Sequence, residues 1–156
     1  MNVNISNLVN EDLIKLNLKV NNKEEVLNEM INIISNNGNL KSKEEYYRTV
    51  FEREEQGTTG VGNGLAIPHG KSDAVSKECF AIVTLNKSIE WQSIDSKPVE
   101  LVIMLAVPNK KANKTHIKLL SKLSSYLMDD HFRKDLMQAS SKEEILDLIT
   151  KKEEEE

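Results

Sequence analysis

His69 has the sequence setting that most favours chemistry. It follows Pro68 and precedes Gly70, at the end of the short apolar run 65–67. Proline stiffens the approach of the chain to the histidine, and Gly70, which lacks a Cβ atom, leaves room for a close neighbour. A neutral imidazole nitrogen is a competent nucleophile near pH 7, because the unperturbed pKa of histidine is about 6.5. We therefore predict that His69 is a nucleophile at the end of a strand, and not a solvated or core-edge histidine.

A glycine-rich segment lies immediately upstream of this histidine. Four of the six glycines fall within residues 57–64, beside two threonines. Backbone N–H groups in such a segment, together with threonine hydroxyls, can point toward an anion held over the imidazole ring. The residues predicted to support a bound phosphate are Thr58, Thr59, Gly60, Gly62, Gly64 and Gly70.

The spacing of these glycines excludes two nucleotide-binding motifs. In the loop GxxxxGK[ST], the segment Gly70-Lys71-Ser72 would need a glycine where Leu65 stands. In the dinucleotide fingerprint GxGxxG, the third glycine would fall on Leu65 or Ile67. The segment is therefore not predicted to bind a nucleotide.

His116 is a second candidate for the same site. It lies at the predicted start of a helix, on the apolar stripe that continues through Leu119 and Leu123. A helix N-terminus disfavours an imidazolium and favours an anion, so a neutral His116 could donate a hydrogen bond to a phosphoryl oxygen. The alternative is a polar residue that merely completes an apolar helix face.

Arg53 is the third candidate, because arginine is scarce in this chain. It is close in sequence to the glycine-rich segment, and its planar guanidinium suits phosphate oxygens. The alternative is a solvated helix charge beside Glu52, Glu54 and Glu55. His131 is interpreted as capping the helix that follows it.

Composition narrows the class of protein. The 156 residues are 29% charged and 38% hydrophobic, which fits one globular domain. The 21 basic and 25 acidic residues leave no basic excess for nucleic-acid binding. A single cysteine, Cys79, excludes an internal disulfide.

The N-terminus lacks a secretory signal, and no apolar run approaches the ~20 residues of a membrane span. We expect a cytoplasmic protein with one domain over residues 1–150 and a frayed acidic tail over residues 151–156.

Hydrophobic periodicity places strands among helices. The predicted strands cover residues 16–20, 65–67, 80–85 and 99–107. The predicted helices cover residues 22–37, 42–55, 132–136 and 141–149, with a further helix that opens near residue 113 or 115 and runs to residue 127. Asn21 or Asn22, Ser42 and Ser141 are suited to cap three of these helices. This order predicts an α/β fold, with helices covering a small sheet.

Two separated motifs resemble a known family. The segment Arg53-Glu54, followed by GTTGVGNGLAIPHG over residues 57–70, is similar to the signature of bacterial sugar phosphotransferase IIA domains of the fructose–mannitol branch. Ala106-Val107-Pro108, followed by THIKLLSKL over residues 115–123, resembles the second landmark of that family. The likeness extends over residues 5–149, which is nearly the whole chain.

The resemblance implies a phosphotransferase component with a phosphohistidine intermediate. His69 would accept a phosphoryl group from phospho-HPr and pass it to a cysteine of a IIB domain, for uptake of a fructose-type sugar. Arg53 and His116 match the phosphate-site arginine and the second histidine of the family, and would stabilise charge without being phosphorylated. The resemblance further implies a small mixed β-sheet flanked by helices, and no metal or other cofactor.

The chain stops after a run of glutamates, so we expect a stand-alone IIA protein whose IIB partner binds from solution. Its interface is expected to be small and weak, because each partner must leave within a turnover. Leu65 and Ile67, where exposed, are candidates for it.

Two other functions compete with sugar transport as interpretations of this sequence. A regulatory protein of the nitrogen-linked IIA kind would also use His69, so the site does not distinguish it from a transport component. A metal hydrolase is excluded, because His69, His116 and His131 have spacings that match no helix or hairpin chelate.

Overall fold

The computed structural model describes residues 4–109 and 114–155, apart from the side chains of Thr115 and His116. Two short 3₁₀ helices, Ile5–Leu8 and Glu11–Leu13, precede the main elements. Within the described residues, the strands are β1 (Ile14–Leu18), β2 (Gly60–Gly62), β3 (Leu65–Ala66), β4 (His69–Ser72), β5 (Cys79–Ile89) and β6 (Val99–Pro108). The α-helices of the same residues are α1 (Lys23–Asn36), α2 (Lys43–Gln56), α3 (Thr115–Leu127), α4 (Asp130–Gln138) and α5 (Lys142–Glu154).

The strands form one mixed sheet in the order β1-β5-β6-β3-β2. The two long strands, β5 and β6, are antiparallel, and β1 runs parallel to β5. Both β3 and β4 pair in parallel with β6, one after the other along the same strand. Ile67 and Pro68 lie between these two short strands, so the chain leaves β6 and returns to it immediately before His69.

The two long strands form the centre of the core. All ten residues of β6 except Glu100 are buried, as expected of a strand covered on both faces. Helix α1 packs on β5, α2 packs on β4, and both α3 and α4 pack on β6. The predicted α/β fold with a small mixed sheet flanked by helices is therefore confirmed.

Local sequence signals set the helix starts. The side chains of Asn22, Ser42 and Ser141 each accept the backbone N–H of the glutamate three residues later, which satisfies a donor that has no partner within the helix. The interpretation of His131 as a cap is wrong. Asp129 caps α4 instead, and its carboxylate accepts the N–H groups of His131 and Phe132.

Residues 151–154, which belong to the tail expected to fray, form the last turn of α5 in the structure. The Glu153 carboxylate accepts the backbone N–H groups of Ile5 and Ser6, and Lys152 pairs with Asp129 at 2.7 Å. These contacts join residues far apart in sequence, so composition alone could not reveal them. Among the described helices, none is both long enough and apolar enough to cross a bilayer.

Candidate active site

His69 is the first residue of β4, where it is held by the neighbouring strand. It lies opposite Leu105 of β6, and the Leu105 N–H donates to the Pro68 carbonyl at 3.0 Å. The ladder therefore fixes the backbone on the N-terminal side of the histidine. The imidazole is half-buried, so one part is anchored and another part faces the surface.

One ring nitrogen of His69 has a defined partner. Its Nδ1 lies 3.0 Å from the Ile67 carbonyl oxygen. A carbonyl can only accept, so Nδ1 carries the proton and Nε2 carries the lone pair. The strand start thus selects the tautomer in which Nε2 is the nucleophile.

Burial is the main cause of the lowered pKa of His69, and the positive charge of Arg53 lowers it further. The hydrogen bond to Ile67 and the negative charge of Glu54 act in the opposite direction but are outweighed. The imidazole is therefore neutral at pH 7, as a nitrogen nucleophile must be.

We expect His69 to titrate below its ordinary pKa of 6.5 in the folded protein. An NMR titration of the imidazole protons measures this, with His69→Ala to assign the resonance and the same titration in denaturant as the control. Between the folded pKa and 6.5 the unfolded chain binds more protons, so this contribution to the free energy of unfolding decreases as the pH falls through that window. A midpoint at or above 6.5 in the folded protein would contradict the lowered pKa of His69.

Gly70 allows β4 to lie unusually close to α2. A Cβ atom built on Gly70 would lie 2.9 Å from Tyr46 Cε1 and 3.2 Å from Val50 Cγ2. Tyr46 is fully buried, and its hydroxyl donates to the Leu105 carbonyl at 2.9 Å. Since Leu105 is also the partner of His69 in the sheet, Tyr46 ties α2 to the strands that carry the histidine.

A cleft of about 320 Å³ runs between α2 and β4. Its lining residues are Thr49, Glu52, Arg53 and Gln56 of α2 and His69, Gly70 and Lys71 of β4. The structure therefore brings together three of the predicted site residues: His69, Arg53 and Gly70. Arg53 Nη1 donates to the Gly57 carbonyl at 2.8 Å, which uses one of the five donors of the guanidinium.

Glu54 is the residue that the sequence reasoning missed. Its side chain is only 7% exposed and forms an ion pair of 2.6 Å with Lys23. It also accepts the backbone N–H of Thr59 at 2.9 Å and the Thr59 hydroxyl at 2.5 Å. Glu54 therefore anchors the glycine-rich segment to α2, beside the arginine that lines the cleft. In sequence it is one of several adjacent glutamates, so composition carried no signal for this role.

The predicted phosphate-supporting residues upstream of the cleft have other partners. The Gly60 N–H donates to the Thr58 hydroxyl at 3.1 Å, and the Thr58 hydroxyl donates to the Trp91 carbonyl at 3.2 Å. The buried Thr59 hydroxyl accepts Trp91 Nε1–H at 3.2 Å in addition to its bond with Glu54. These contacts give the three residues a structural role in holding the segment in place. Their predicted role in binding an anion stays a prediction.

Gly62 and Gly64 belong to a hairpin. Strands β2 and β3 are antiparallel and joined through Asn63 and Gly64, which have φ angles of 57° and 78°. Asn-Gly is the preferred pair for such a two-residue turn. Gly62, which has a φ angle of 99°, lines a second groove that is described below. It does not line the cleft that contains Arg53 and His69. The predicted contact of these glycines with phosphate also stays a prediction.

His116 lies in the first turn of α3, but its side chain falls outside the described part of the chain. Its predicted support of the phosphoryl group therefore stays a prediction. Within residues 4–109 and 114–155, no group of three His, Cys, Asp or Glu side chains could hold a metal ion. Cys79 is buried, and burial raises the pKa of its thiol to about 12, so the thiolate is not formed near pH 7.

An apolar groove of about 310 Å³ adjoins Ile67, two residues before His69. Leu65 and Ile67 were interface candidates only where exposed, and they do not meet that condition, because they are 3% and 5% exposed. They form part of the wall of the groove, whereas Val61 and Met128 at its border are 45% and 80% exposed. The burial of Leu65 follows from its pairing in β3 with Leu101 of the core strand β6.

The fold and the cleft together define a small α/β domain that presents a neutral histidine beside an arginine. Residues 7–152 match the sequence profile of the family described as "Phosphoenolpyruvate-dependent sugar phosphotransferase system, EIIA 2". The chain belongs to this family, as the two motifs around His69 and His116 predicted.

Individual relatives agree with this assignment. The chain is 37% identical over 145 residues to the PTS system fructose-specific EIIABC component of Bacillus subtilis. The aligned region covers 93% of this chain and 23% of that protein. It is 33% identical to the PTS system fructose-specific EIIA component of Haloferax volcanii, over 93% of this chain and 94% of that one. The crystal structure of nitrogen regulatory protein IIA-Ntr from Neisseria meningitidis has a TM-score of 0.85 at 30% identity, and covers 93% of this chain and 98% of that one.

Proposed function

We propose that this protein is a phosphoryl carrier of a sugar phosphotransferase system. His69 accepts a phosphoryl group from the phosphohistidine of HPr and passes it to a cysteine of a IIB domain, which phosphorylates the sugar during uptake. The observation that carries the proposal is the fixed tautomer of His69, whose Nδ1 is bound to the Ile67 carbonyl. The relation to proteins that are named fructose-specific favours a fructose-type sugar.

The first transfer needs only an in-line approach of phosphorus to Nε2. The Nε2 lone pair forms the new N–P bond while the N–P bond of phospho-HPr breaks, and the donor nitrogen keeps that electron pair. Nδ1 retains its proton and its bond to Ile67 throughout. Since the imidazole is already neutral, no general base is needed to activate it.

The second transfer reverses these roles. The sulfur of a IIB thiolate attacks phosphorus, the N–P bond on His69 breaks, and Nε2 recovers its lone pair. The Bacillus subtilis relative is named an EIIABC component, so its name joins IIA, IIB and IIC. This name supports a IIB domain as the acceptor of the phosphoryl group. These partners would place the exchange in the cytoplasm.

Arg53 stabilises the charge on the transferring phosphoryl group. It lines the same cleft as His69, and its positive charge acts on the imidazole. In phosphoryl transfer most of the catalysis comes from placement and from stabilisation of charge on the equatorial oxygens. The planar fork of Arg53 can hold two of those oxygens at once.

Arg53→Lys is expected to slow phosphorylation by phospho-HPr although the charge is kept. Loss of one stabilising donor costs about 10²–10³ in rate, and a lysine that keeps the charge should recover part of this, leaving a fall of about tenfold or more. Rapid-quench measurement of the phosphorylated fraction tests the prediction. Arg48→Lys is the matched control, because Arg48 is exposed on the same helix and does not line the cleft. A wild-type rate for Arg53→Lys would contradict a role in phosphate binding and would mean that Arg53 is a solvated helix charge.

The apolar groove beside Ile67 is the proposed contact area for the protein partners. Val61 and Met128 supply its exposed apolar side chains. The groove is lined by Ile67, two residues before His69, and this supports a partner contact near the histidine.

The test of the proposal is the intact mass of the protein after incubation with phosphoenolpyruvate, enzyme I and HPr. We expect the gain of one phosphoryl group that is lost in acid and survives alkali, as a phosphohistidine does. Addition of the cognate IIB protein should then remove the group. No gain with enzyme I and HPr shown to be active would contradict the carrier function.

A regulatory role is the second candidate. It is favoured by the 30% identity to the nitrogen regulatory protein IIA-Ntr of known structure. Such a protein would be phosphorylated at His69 but would retain the group when each IIB protein of the cell is added. Its phosphorylation state would instead change its binding to protein partners in pull-down experiments.

A further inference from the structure

Lys71 lies two residues after His69 in β4. Side chains two residues apart in a strand project from the same face. The burial of β4 follows this alternation: His69 and Lys71 are half-buried, whereas Gly70 and Ser72 are buried. The intervening Gly70 faces Tyr46 and Val50 of α2. Lys71 is therefore the next side chain along the face that carries the imidazole.

The cleft that contains His69 is lined by two cationic residues. Arg53 of α2 and Lys71 of β4 both line it, and Glu52 is the carboxylate among its lining residues. The nearby Glu54 is already balanced, because Lys23 pairs with it at 2.6 Å. The cleft thus combines two positive side chains from two elements around the proposed nucleophile.

The charge of a phosphoryl group calls for more than one cation. A phosphorylated side chain carries about −1.5 to −2 charges at pH 7, whereas Arg53 supplies a single positive charge. Part of the guanidinium is also engaged with the Gly57 carbonyl. Arg53 alone would leave about half to one negative charge uncompensated in the cleft.

We propose that Lys71 is a second phosphate-binding residue, whose ammonium group contacts an oxygen of the phosphoryl group carried by His69. The proposal rests on the proposed carrier function and adds a residue to its site. The two cations have different tasks: the Arg53 fork orients the group, and the flexible four-carbon stem of Lys71 lets its ammonium follow the oxygens as phosphorus moves. By stabilising the dianion, Lys71 lowers the second pKa of the phosphoryl group.

The test compares wild-type protein with Lys71→Met, Lys71→Arg and the control Lys43→Met. Lys43 is exposed at the first position of α2, ten residues before Arg53. That spacing is about 15 Å along the helix axis, which exceeds the screening length of about 8 Å at physiological salt. The control therefore removes an equal charge without affecting the cleft. Each protein is phosphorylated, and the phosphoryl pKa is followed by ³¹P NMR while the transfer rate from phospho-HPr is measured.

In Lys71→Met we expect the phosphoryl pKa to rise by about one pH unit and the transfer rate to fall about tenfold, by analogy with loss of one stabilising charge. Lys71→Arg should keep the phosphoryl pKa near that of wild type, because the charge is kept. Lys43→Met should match wild type in both the pKa and the rate. A phosphoryl pKa in Lys71→Met equal to that of the control overturns the proposal, even where the rate is lower. If Lys71→Met fails to fold, as judged by circular dichroism, Lys71→Gln takes its place with the same expected results.

A separate arm distinguishes this proposal from the carrier function. If wild-type protein gains no phosphoryl group, the carrier function fails. Inorganic phosphate is then added to the unmodified proteins, and the shift of the His69 resonances is measured. Binding that is several-fold weaker in Lys71→Met than in Lys43→Met supports an anion site that includes Lys71. Equal binding in the two variants, or none in any, overturns it.

Discussion

Replacing His69 with alanine is expected to abolish the gain of a phosphoryl group while leaving the fold intact. His69 has the neutral ring and the free Nε2 lone pair that the transfer requires, and it borders the cleft that Arg53 lines. The backbone pairing of β4 with β6 does not depend on its side chain. We therefore expect a change of about 1 kcal/mol or less in the free energy of unfolding together with complete loss of labelling by phospho-HPr.

His131→Ala is the matched control for this experiment. His131 is exposed on α4, and its contact with the Asp129 carboxylate is made by its backbone N–H. The variant loses an imidazole without losing a described structural contact, and it should be labelled like wild type. Labelling that persists in His69→Ala would contradict the proposal and would move the acceptor to another side chain.

Replacing Gly70 with alanine or valine is expected to lower both the stability and the activity of the protein. An added Cβ would lie 2.9 Å from Tyr46 Cε1. The Tyr46 ring is fully buried and its hydroxyl is bound to the Leu105 carbonyl, so the ring has little freedom to move aside. Overpacking of this kind costs about 1–3 kcal/mol for alanine, and the larger valine should cost more. Urea denaturation followed by circular dichroism measures the difference.

The activity of the Gly70 variants should fall as well. Relief of the contact requires β4 to move away from α2, which would separate His69 from Arg53. The control is Gly57→Ala, because a Cβ on Gly57 meets no atom within 4 Å and its φ of 164° is extended backbone. That variant should stay within about 0.5 kcal/mol of wild type. Wild-type stability in Gly70→Ala would mean that α2 and β4 are not in close contact in solution.

Signals that act over a few residues were readable from the sequence. The caps Asn22, Ser42 and Ser141 each bond a group three residues away, so the helix starts could be predicted. The apolar run of β6 indicated a strand covered on both faces, and the structure confirms it. The strand preceding His69 was also predicted, although it ends at Ala66 and a new strand begins at His69 itself.

One local signal was present but misinterpreted. Asn63-Gly64 between two short runs indicates a hairpin turn, and the structure has that hairpin. The interpretation of the glycine cluster as a source of N–H groups for an anion does not account for this hairpin. Part of its glycine content has a structural cause, since Gly60 lies so close to Ser93 that an added Cβ would overlap the Ser93 Oγ atom.

Other features could not be predicted because their partners are distant in sequence. Glu54 resembles its neighbours Glu52 and Glu55 in the chain, yet within the described part of the structure it is Glu54 that pairs with Lys23. The order of α5 through Glu154 likewise depends on contacts with Ile5, Ser6 and Asp129. Periodicity and composition describe one segment at a time and hold no information about such pairs.

Residue types and spacings alone predicted the fold class, the starts of three helices, the family and His69 as the nucleophile. Each of these depends on a short stretch of chain. By contrast, the choice of the free ring nitrogen, the close approach of α2 to β4 and the charges near the histidine depend on tertiary packing. The physical reason is that burial, hydrogen-bond direction and charge proximity arise when β4 pairs with β6 and α2 packs over Gly70.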